Sequence, residues 1–519
     1  MSAVEINQRV VLNGSKGVVR YLGPVEGTAG QWVGVDWDDP TRGKHDGRTR
    51  DGRRYFTATA ASSASFVREQ CLHTGDELFS AICAKYATEG DDDDKCQNEI
   101  IEAGDKVRWQ LVNMDKVRRA QRDVFRLRCI VLSWSLVSHL DVSKLGDRTF
   151  ANCAELDLTE TLVGKWTQIC DILARFPALR IFHLNDNRIE WLEESAEEEG
   201  TFGQIKRALD NCQVTHLSMN RCKLNEQTAN LLTALFPRLE EIYLANNGLG
   251  NYAPAGDYAR LRLVDLQQNP SIGTQGDAKC PLLTTLSHLP NLNYLNLSSC
   301  ALQILNFGDG SGFCALKTLI LQDNPISRWE SVDGLARLPA LAKLILRGAP
   351  LPGARGVDSR EMIIAKLPQI TDLDRCDVSP VARRSAELLF LSRFGADPVP
   401  AEHAATVARL ATIYSISNDG DPSGAVSVPR PAQPFSTIHS KKVRLEHAGR
   451  SMERSLSLAL PIHKIVGLGA RLFGFAPDTL TGVELRRADP AYPSELLCRT
   501  RDNLLRQFDI DDGDVLAFV

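Results

Sequence analysis

The sequence predicts three modules in series: a small all-β domain, an α/β repeat solenoid and an α+β roll. Three observations predict them. Short glycine-bounded β-branched and aromatic runs fill the first part of the chain, a leucine pattern recurs through its middle, and a hairpin–helix–strand pattern occupies its end. A chain of 519 residues with 43% hydrophobic content can fill several cores, since one core serves roughly 100–200 residues.

In the first module, Arg9-Val10-Val11-Leu12, Gly17 to Tyr21 and Trp32 to Trp37 read as short strands. The acidic run Asp91 to Asp94 reads as a solvated loop, because like charges repel. The second module carries the unit L-x-x-L-x-L-x-x-N-x-L. Its clearest copies begin at Leu179, Leu239 and Leu316, and weaker ones at Leu127, Cys153, Val214, Leu261, Leu292 and Leu341. From Val214 to Leu341 the starts fall at the leucine-rich-repeat period, with insertions. One insertion holds the acidic loop 193–199. Alternating leucines bury one strand face, and the asparagine turns the chain and satisfies backbone groups. Phe176-Pro177, Phe236-Pro237, Leu289-Pro290 and Leu338-Pro339 each end a convex-side helix just before the next strand. Leu367 to Asp374 and the helical stretch Pro380–Phe394 read as the cap that an open array needs.

A Gly- and Pro-rich linker follows Ser417 and runs to Pro434. In the third module Val443 to Glu446 and Ser455 to Leu460 read as a hairpin and Ile462 to Phe473 as a helix. Val483 to Leu485 and Val515 to Val519 read as further strands. The expected divisions are 1–75, 76–124 (a connecting segment), 125–397, 398–437 (the linker) and 438–519.

Composition excludes several classes. The net charge of −5 argues against a general polyanion binder. Thirteen cysteines without a C-x-x-C pair, including Cys170, Cys212 and Cys300 in apolar segments, read as buried thiols of a reducing compartment. The first residues lack the apolar region of a secretion signal. No run approaches the roughly 18 apolar residues of a membrane span. The expectation is a soluble cytoplasmic chain. Walker A, H-E-x-x-H and G-x-S-x-G sequences are missing, the histidines have no metal-like spacing, and Gly467-Leu468-Gly469-Ala470 lacks the third glycine of a dinucleotide fingerprint. Neither catalysis nor a cofactor is expected.

Two surfaces carry binding chemistry. Between Thr41 and Phe56 six basic residues (Arg42, Lys44, Arg48, Arg50, Arg53, Arg54) face two aspartates, Asp46 and Asp51, with glycines and aromatics close by. Such a loop suits an acidic peptide with an aromatic end; a β-turn with solvated arginines has the same composition. On the solenoid, the position between the core leucines faces the concave side. It reads His183, Ser218, Tyr243, Asp265, Asn296, Ile320 and Ile345. Tyr243, Ile320 and Ile345 put apolar groups at solvent positions, as protein-binding faces do; scattered surface hydrophobics are the alternative.

Gly43-Lys44-His45-Asp46-Gly47, with Gly14 to Tyr21, Gln31 to Val35 and Phe66-Val67-Arg68, resembles the CAP-Gly family, whose hallmark is G-K-N-D-G. The resemblance implies a barrel that binds acidic C-terminal tails such as that of α-tubulin. Lys44, His45, Asp46 and Gly47 would line the tail site, Trp32, Tyr55 and Phe56 would form its aromatic wall or floor, and Arg68 would face the groove. His45 stands where the family has asparagine, and its charge and tautomer depend on pH. Asp509 to Val519 resembles the last turn and strand of a ubiquitin-like domain; without a diglycine tail it is expected to be a docking module. The order of the three modules resembles the tubulin folding cofactor E family. That resemblance implies binding to α-tubulin, cooperation with cofactors B, C and D (the last with β-tubulin), and assembly and dissociation of the αβ-heterodimer, in a cytoplasmic, cytoskeleton-associated setting. The solenoid face that includes Tyr243, Asp265, Asn296, Ile320 and Ile345 would hold the tubulin body. The ubiquitin-like end would reach the proteasome, and neither nucleic acid nor membrane is implied. A microtubule-associated adaptor and a proteasome-linked shuttle are the other readings of the same modules.

Overall fold

The computed structural model describes residues 4–87, 100–102, 108–110, 123–192, 200–256, 258–274, 281–307, 312–395, 398–415, 440–457, 460, 462–475, 482–487, 494–497, 510 and 513–519. The expected acidic loops at 91–94 and 193–199 and the linker to Pro434 lie outside them. The chain divides into two compact units, Met1–Arg393 with Pro398–Leu410, and Phe394–Asp397 with Ala411–Val519. No described helix is long and apolar enough to cross a membrane.

The first unit opens with an antiparallel sheet of β1 (Arg9–Leu12), β2 (Ser15–Pro24), β3 (Gln31–Trp37) and β4 (Ala64–Val67), in that order. Val10, Val19, Val33, Val35 and Trp37 form its core. A register shift between Val19 and Tyr21 bends β2. Next, β5 (Asp76–Glu77) leads into a helix, Leu78–Tyr86, and Glu77 caps that helix by accepting from the Phe79 and Ser80 amides at 2.8 Å each. β6 (Ile100–Glu102) and β7 (Arg108–Gln110) form a separate antiparallel pair.

The repeats give β8 (Cys129–Val131), β9 (Val137–His139), β10 (Glu155–Asp157), β11 (Ile181–His183), β12 (His216–Ser218) and β13 (Glu241–Tyr243). They continue with β14 (Leu263–Asp265), β15 (Tyr294–Asn296), β16 (Thr318–Ile320), β17 (Lys343–Ile345) and β18 (Asp372–Leu373). All except β9 pair in parallel in sequence order, and β19 (Cys376–Asp377) closes the eleven-stranded sheet antiparallel. β9 instead pairs with β5, which ties the segment after the first sheet to the start of the solenoid. A strand stands at each expected repeat. In the parallel-paired strands of three residues the middle residue is a buried core side chain, as in Phe182, Leu217, Ile242, Leu295 and Leu319.

The asparagine rule holds in detail. Asn324 Nδ2 donates to Leu297 O (2.8 Å) and Leu321 O (2.9 Å), while its Oδ1 accepts from the Cys300 and Leu302 amides at 3.0 Å each. Asn247 and Asn269 make equivalent sets, and Asn187 differs only in accepting from the Thr161 hydroxyl in place of a second amide. Where cysteine replaces asparagine, Cys222 Sγ donates to Leu184 O (3.1 Å) and Cys300 Sγ to Leu266 O (3.2 Å). Burial pushes the Cys222 thiol up to about 12, so it stays a donor. The helix Pro380–Phe394 follows the last strands as expected, and Arg383 satisfies the Ile364 and Leu367 carbonyls at 3.1 and 3.0 Å.

The second unit is a five-stranded sheet in the order β21-β20-β24-β22-β23, built from β20 (Ser440–His447), β21 (Arg450–Ser457), β22 (Val483–Arg486), β23 (Glu495–Leu497) and β24 (Val515–Phe518). The helix Ile462–Phe473 supplies Ile462, Ile465 and Val466 to its core. The hairpin differs from expectation. Its second strand begins at Arg450, because Ala448 and Gly449 take left-handed backbone (φ 49° and 77°) and make a two-residue turn. Gly469 has a packing role: a Cβ there would lie 2.3 Å from the Phe518 ring.

Asn324→Ala should lower the stability of the repeat unit by on the order of 3 kcal/mol, since it strands several buried backbone groups. Urea unfolding followed by circular dichroism measures this; an unchanged midpoint would show that the asparagine ladder contributes no stability.

Candidate functional site

The loop after β3 is built around its glycines. A Cβ at Gly43 would lie 2.4 Å from the Ala64 backbone nitrogen. The bare glycine therefore lets the loop lie on β4, where Lys44 N donates to Ala64 O (2.7 Å) and Ala64 N to His45 O (2.9 Å). Gly47 has φ 96°, and a Cβ there would meet Phe56 O at 2.0 Å. Tyr55 N donates to Gly47 O at 3.0 Å, which holds the two arms of the loop together.

Three strands then make an aromatic floor. In register, Tyr21 on β2 faces Gly34 on β3, and Gly34 faces Phe66 on β4. Gly34 leaves a gap between the two rings, and Phe56 fills it; a Cβ on Gly34 would meet the Phe56 ring at 2.4 Å. Phe56 is consequently buried, a floor residue rather than a wall. Around it, Tyr55 lies 5.1 Å from Tyr21 and 5.5 Å from Phe66 between centroids. Phe66 is stacked on His45 at 4.8 Å. The Tyr55 hydroxyl accepts from Glu26 N (2.9 Å), so the ring is held at the rim.

His45 Nδ1 accepts from the Gly47 amide at 3.0 Å. The proton of the neutral ring therefore sits on Nε2, where it can be donated. Burial lowers the pKa of His45, helped by Lys44 and opposed by Asp46. The histidine thus reproduces an amide side chain: one atom accepts from the loop and the other donates outward.

The positive charge is less available than composition suggests. Asp46 holds Arg54 (3.0 Å) and Arg48 (3.6 Å). Slight burial raises the Asp46 pKa, but Arg54, the Arg48 amide and the Arg48 charge outweigh it, so the carboxyl lies below its usual range. Arg53 pairs with Glu26, and Arg42 lies 4.4 Å above the Trp37 ring. Among the described residues, Lys44 and Arg50 are the loop cations with neither a carboxylate nor an aromatic partner. Trp32 and Arg68 form a separate pair, with the guanidinium 3.8 Å above the indole and donating to the Gln31 and Ala29 carbonyls at 2.7 Å each. Arg68 therefore braces the β3 entry, beside the ring cluster. Of the expected residues, the loop gathers Lys44, His45, Asp46, Gly47, Tyr55 and Phe56. Tyr21 and Phe66 complete the cluster. The strand alternation that places them opposite Gly34 was the signal for both.

On the solenoid, Tyr243, Ile320 and Ile345 lie half-buried on the strand face opposite the helices, with Ile320 and Ile345 adjacent in register. Asp265 and Asn296 differ from the expected solvent positions. They are neighbours in register, paired at 3.0 Å and largely covered. Burial raises the Asp265 pKa, against the Gln267 amide and the Asn296 side chain. Leu263 and Tyr294, two positions earlier in their strands, also lie half-buried on this face. A single position per repeat does not reveal them, because the first and third residues of each strand share this face.

Residues 6–72 match the model of the CAP-Gly domain family. Over 398 residues, 75% of this chain and 72% of the relative, the sequence is 31% identical to a tubulin-specific chaperone E of Mus musculus. Over 536 residues, 98% of each chain, it is 26% identical to that of Bos taurus. A solution structure of the C-terminal ubiquitin-like domain of the mouse protein is 12% identical and covers 16% of this chain and 88% of that one, with a TM-score of 0.14.

A lowered histidine pKa means that the unfolded chain takes up its proton first, at the ordinary histidine value of about 6.5. The stabilising contribution of His45 is therefore complete above that value and lost as pH falls through the folded pKa. His45→Asn should narrow the fall in melting temperature between about pH 7.5 and about pH 5.5. Equal falls in the two proteins would show that the Gly47 bond is not proton-sensitive.

Proposed function

Because the chain belongs to the tubulin-specific chaperone E family, we propose that it is a tubulin-folding chaperone that binds α-tubulin at two places and acts in assembly and dissociation of the αβ-heterodimer. The observation that carries the reading is the loop 43–56 over its aromatic floor. An acidic tail ending in an aromatic residue meets there what it requires. Lys44 and Arg50 answer its carboxylates, His45 Nε2–H donates to a terminal oxygen, and Tyr21, Tyr55 and Phe66 take the ring. The strand face around Tyr243, Leu263, Tyr294, Ile320 and Ile345 takes the folded body, with Asp265 and Asn296 as a paired polar patch within it.

Both surfaces belong to one compact unit. Arg9, 2% exposed, grips Asp38 through two bonds of 2.7 and 2.6 Å, and Arg188 of the solenoid reaches the same carboxylate at 3.0 Å. Lys16 adds a bond to Glu160 O. Two weak sites held in fixed geometry act as a strong one, because the second contact forms at high effective concentration. Preferential binding of α-tubulin then draws the heterodimer apart by mass action, with no catalytic step. Cofactors B, C and D, the last carrying β-tubulin, are the proposed further partners. The proteasome is the proposed partner of the C-terminal roll, and the cytoplasm with its cytoskeleton is the proposed location.

Size-exclusion chromatography with native αβ-tubulin tests this. A complex of the chain with α-tubulin lacking β is expected, alone or with a partner cofactor added. Lys44→Glu should weaken binding of an acidic tail peptide about tenfold or more. Heterodimers that stay intact under both conditions would refute the dissociation mechanism and favour an adaptor.

A further inference from the structure

The first sheet and the solenoid enclose a cavity of about 320 Å³ that is separate from the loop 43–56. This volume falls at the lower end of small ligand sites. Its apolar floor is Val18, Ile189 and Gly164, the first two buried. A Cβ on Gly164 would meet Arg9 Cγ at 2.7 Å, so the glycine permits the close approach that forms the cavity. Trp191 is the wall. It is 64% exposed, yet its Nε1 donates to Lys223 O at 3.0 Å, which fixes a large aromatic surface in solvent.

The charge in this cavity is unbalanced. Arg20 donates only to the neutral Asn7 side chain at 2.8 Å, and no described carboxylate forms an ion pair with it. Arg188 is shared between Asp38 and Asp36, the latter at 3.6 Å. The anion in the lining, Glu190, already accepts from the Trp166 amide at 2.8 Å. Burial lowers the Arg188 pKa, and Arg9 and Arg20 lower it further, while Asp38 and Asp36 oppose this. An incoming carboxylate would relieve that repulsion.

We propose that this cavity is a second peptide-binding site, which takes an acidic segment with an aromatic or aliphatic side chain from a partner protein. Arg20 receives the carboxylate, and Trp191 and the Val18–Ile189 floor receive the apolar group. The buried Asp36 and the half-buried Asp38 behind Arg188 would repel the continuous phosphates of a nucleic acid, whereas a short acidic peptide presents its charges at intervals. None of these residues belongs to the tail loop, so the site stands independently of the tail reading.

Isothermal titration of the full chain with a synthetic peptide of alternating glutamate and tyrosine tests the site. Arg20→Glu combined with Trp191→Ala is expected to remove one binding event or weaken it about tenfold or more. Both side chains are exposed, so the melting temperature should hold. Trp191→Ala alone changes no charge and must weaken the same event. Lys44→Glu, in the separate loop, must leave it intact. Binding by the double variant that equals the unmodified chain overturns the proposal. Loss of this event in the double variant, with no effect of Lys44→Glu on any event, would support the cavity and count against the tail reading.

Discussion

A three-residue parallel strand cannot stand alone, and the solenoid is organised around that constraint. Each such strand leaves turn amides and carbonyls that no local partner satisfies, and burying them unpaired costs on the order of 1–3 kcal/mol each. The side chain at the asparagine position removes the problem by bridging consecutive turns, as Asn324 does between Leu297, Leu321, Cys300 and Leu302. The bridge makes every repeat a condition for the next. It also explains the closing β18–β19 hairpin and Arg383, since the last turn has no successor to satisfy it.

Rigidity of the array gives the first sheet something to dock on. A guanidinium as buried as that of Arg9 is tolerable only with matched partners, and removing one partner of such a pair typically costs about 3–5 kcal/mol. Asp38 supplies the match. Burial raises its pKa, yet Arg9 and Arg188 outweigh that and hold the carboxyl below its ordinary value. The ion pairs therefore fix orientation more than they add stability. In this way the loop 43–56 and the strand face of the solenoid come to lie on one body, whereas a flexible tether would have left their geometry open.

The sequence shows most clearly what recurs. The repeat, its prolines and its cap are all legible because a period of this length is a pattern no single residue has to carry. Features that depend on register are not. Asp265 and Asn296 are 31 residues apart, and only the parallel pairing of β14 with β15 makes them neighbours. Tyr21, Gly34 and Phe66 come from three strands, and their alignment across the sheet turns a glycine into the seat for Phe56. Arg9 looks like an ordinary strand residue; its partner Asp38 lies 29 residues on, and Arg188 lies 150 residues beyond Asp38. The Ala448-Gly449 turn was missed for a local reason, since alanine rarely takes left-handed backbone and gave no turn signal.

The charge pattern of the tail loop fits this frame. Most of its arginines are committed to Asp46, Glu26 or Trp37 and so shape the loop, leaving Lys44 and Arg50 to act at a distance. A groove with few uncommitted charges binds weakly and is easily screened by salt. For a chaperone that must release its client, weakness at each site is an advantage. In the proposed two-site binding, affinity would arise only when tail and body engage together, and would be lost as soon as either contact breaks. The histidine at position 45 suits the same economy of charge. As a neutral donor it would supply the proposed tail with the hydrogen bond of an amide without adding a cation that would hold it too firmly.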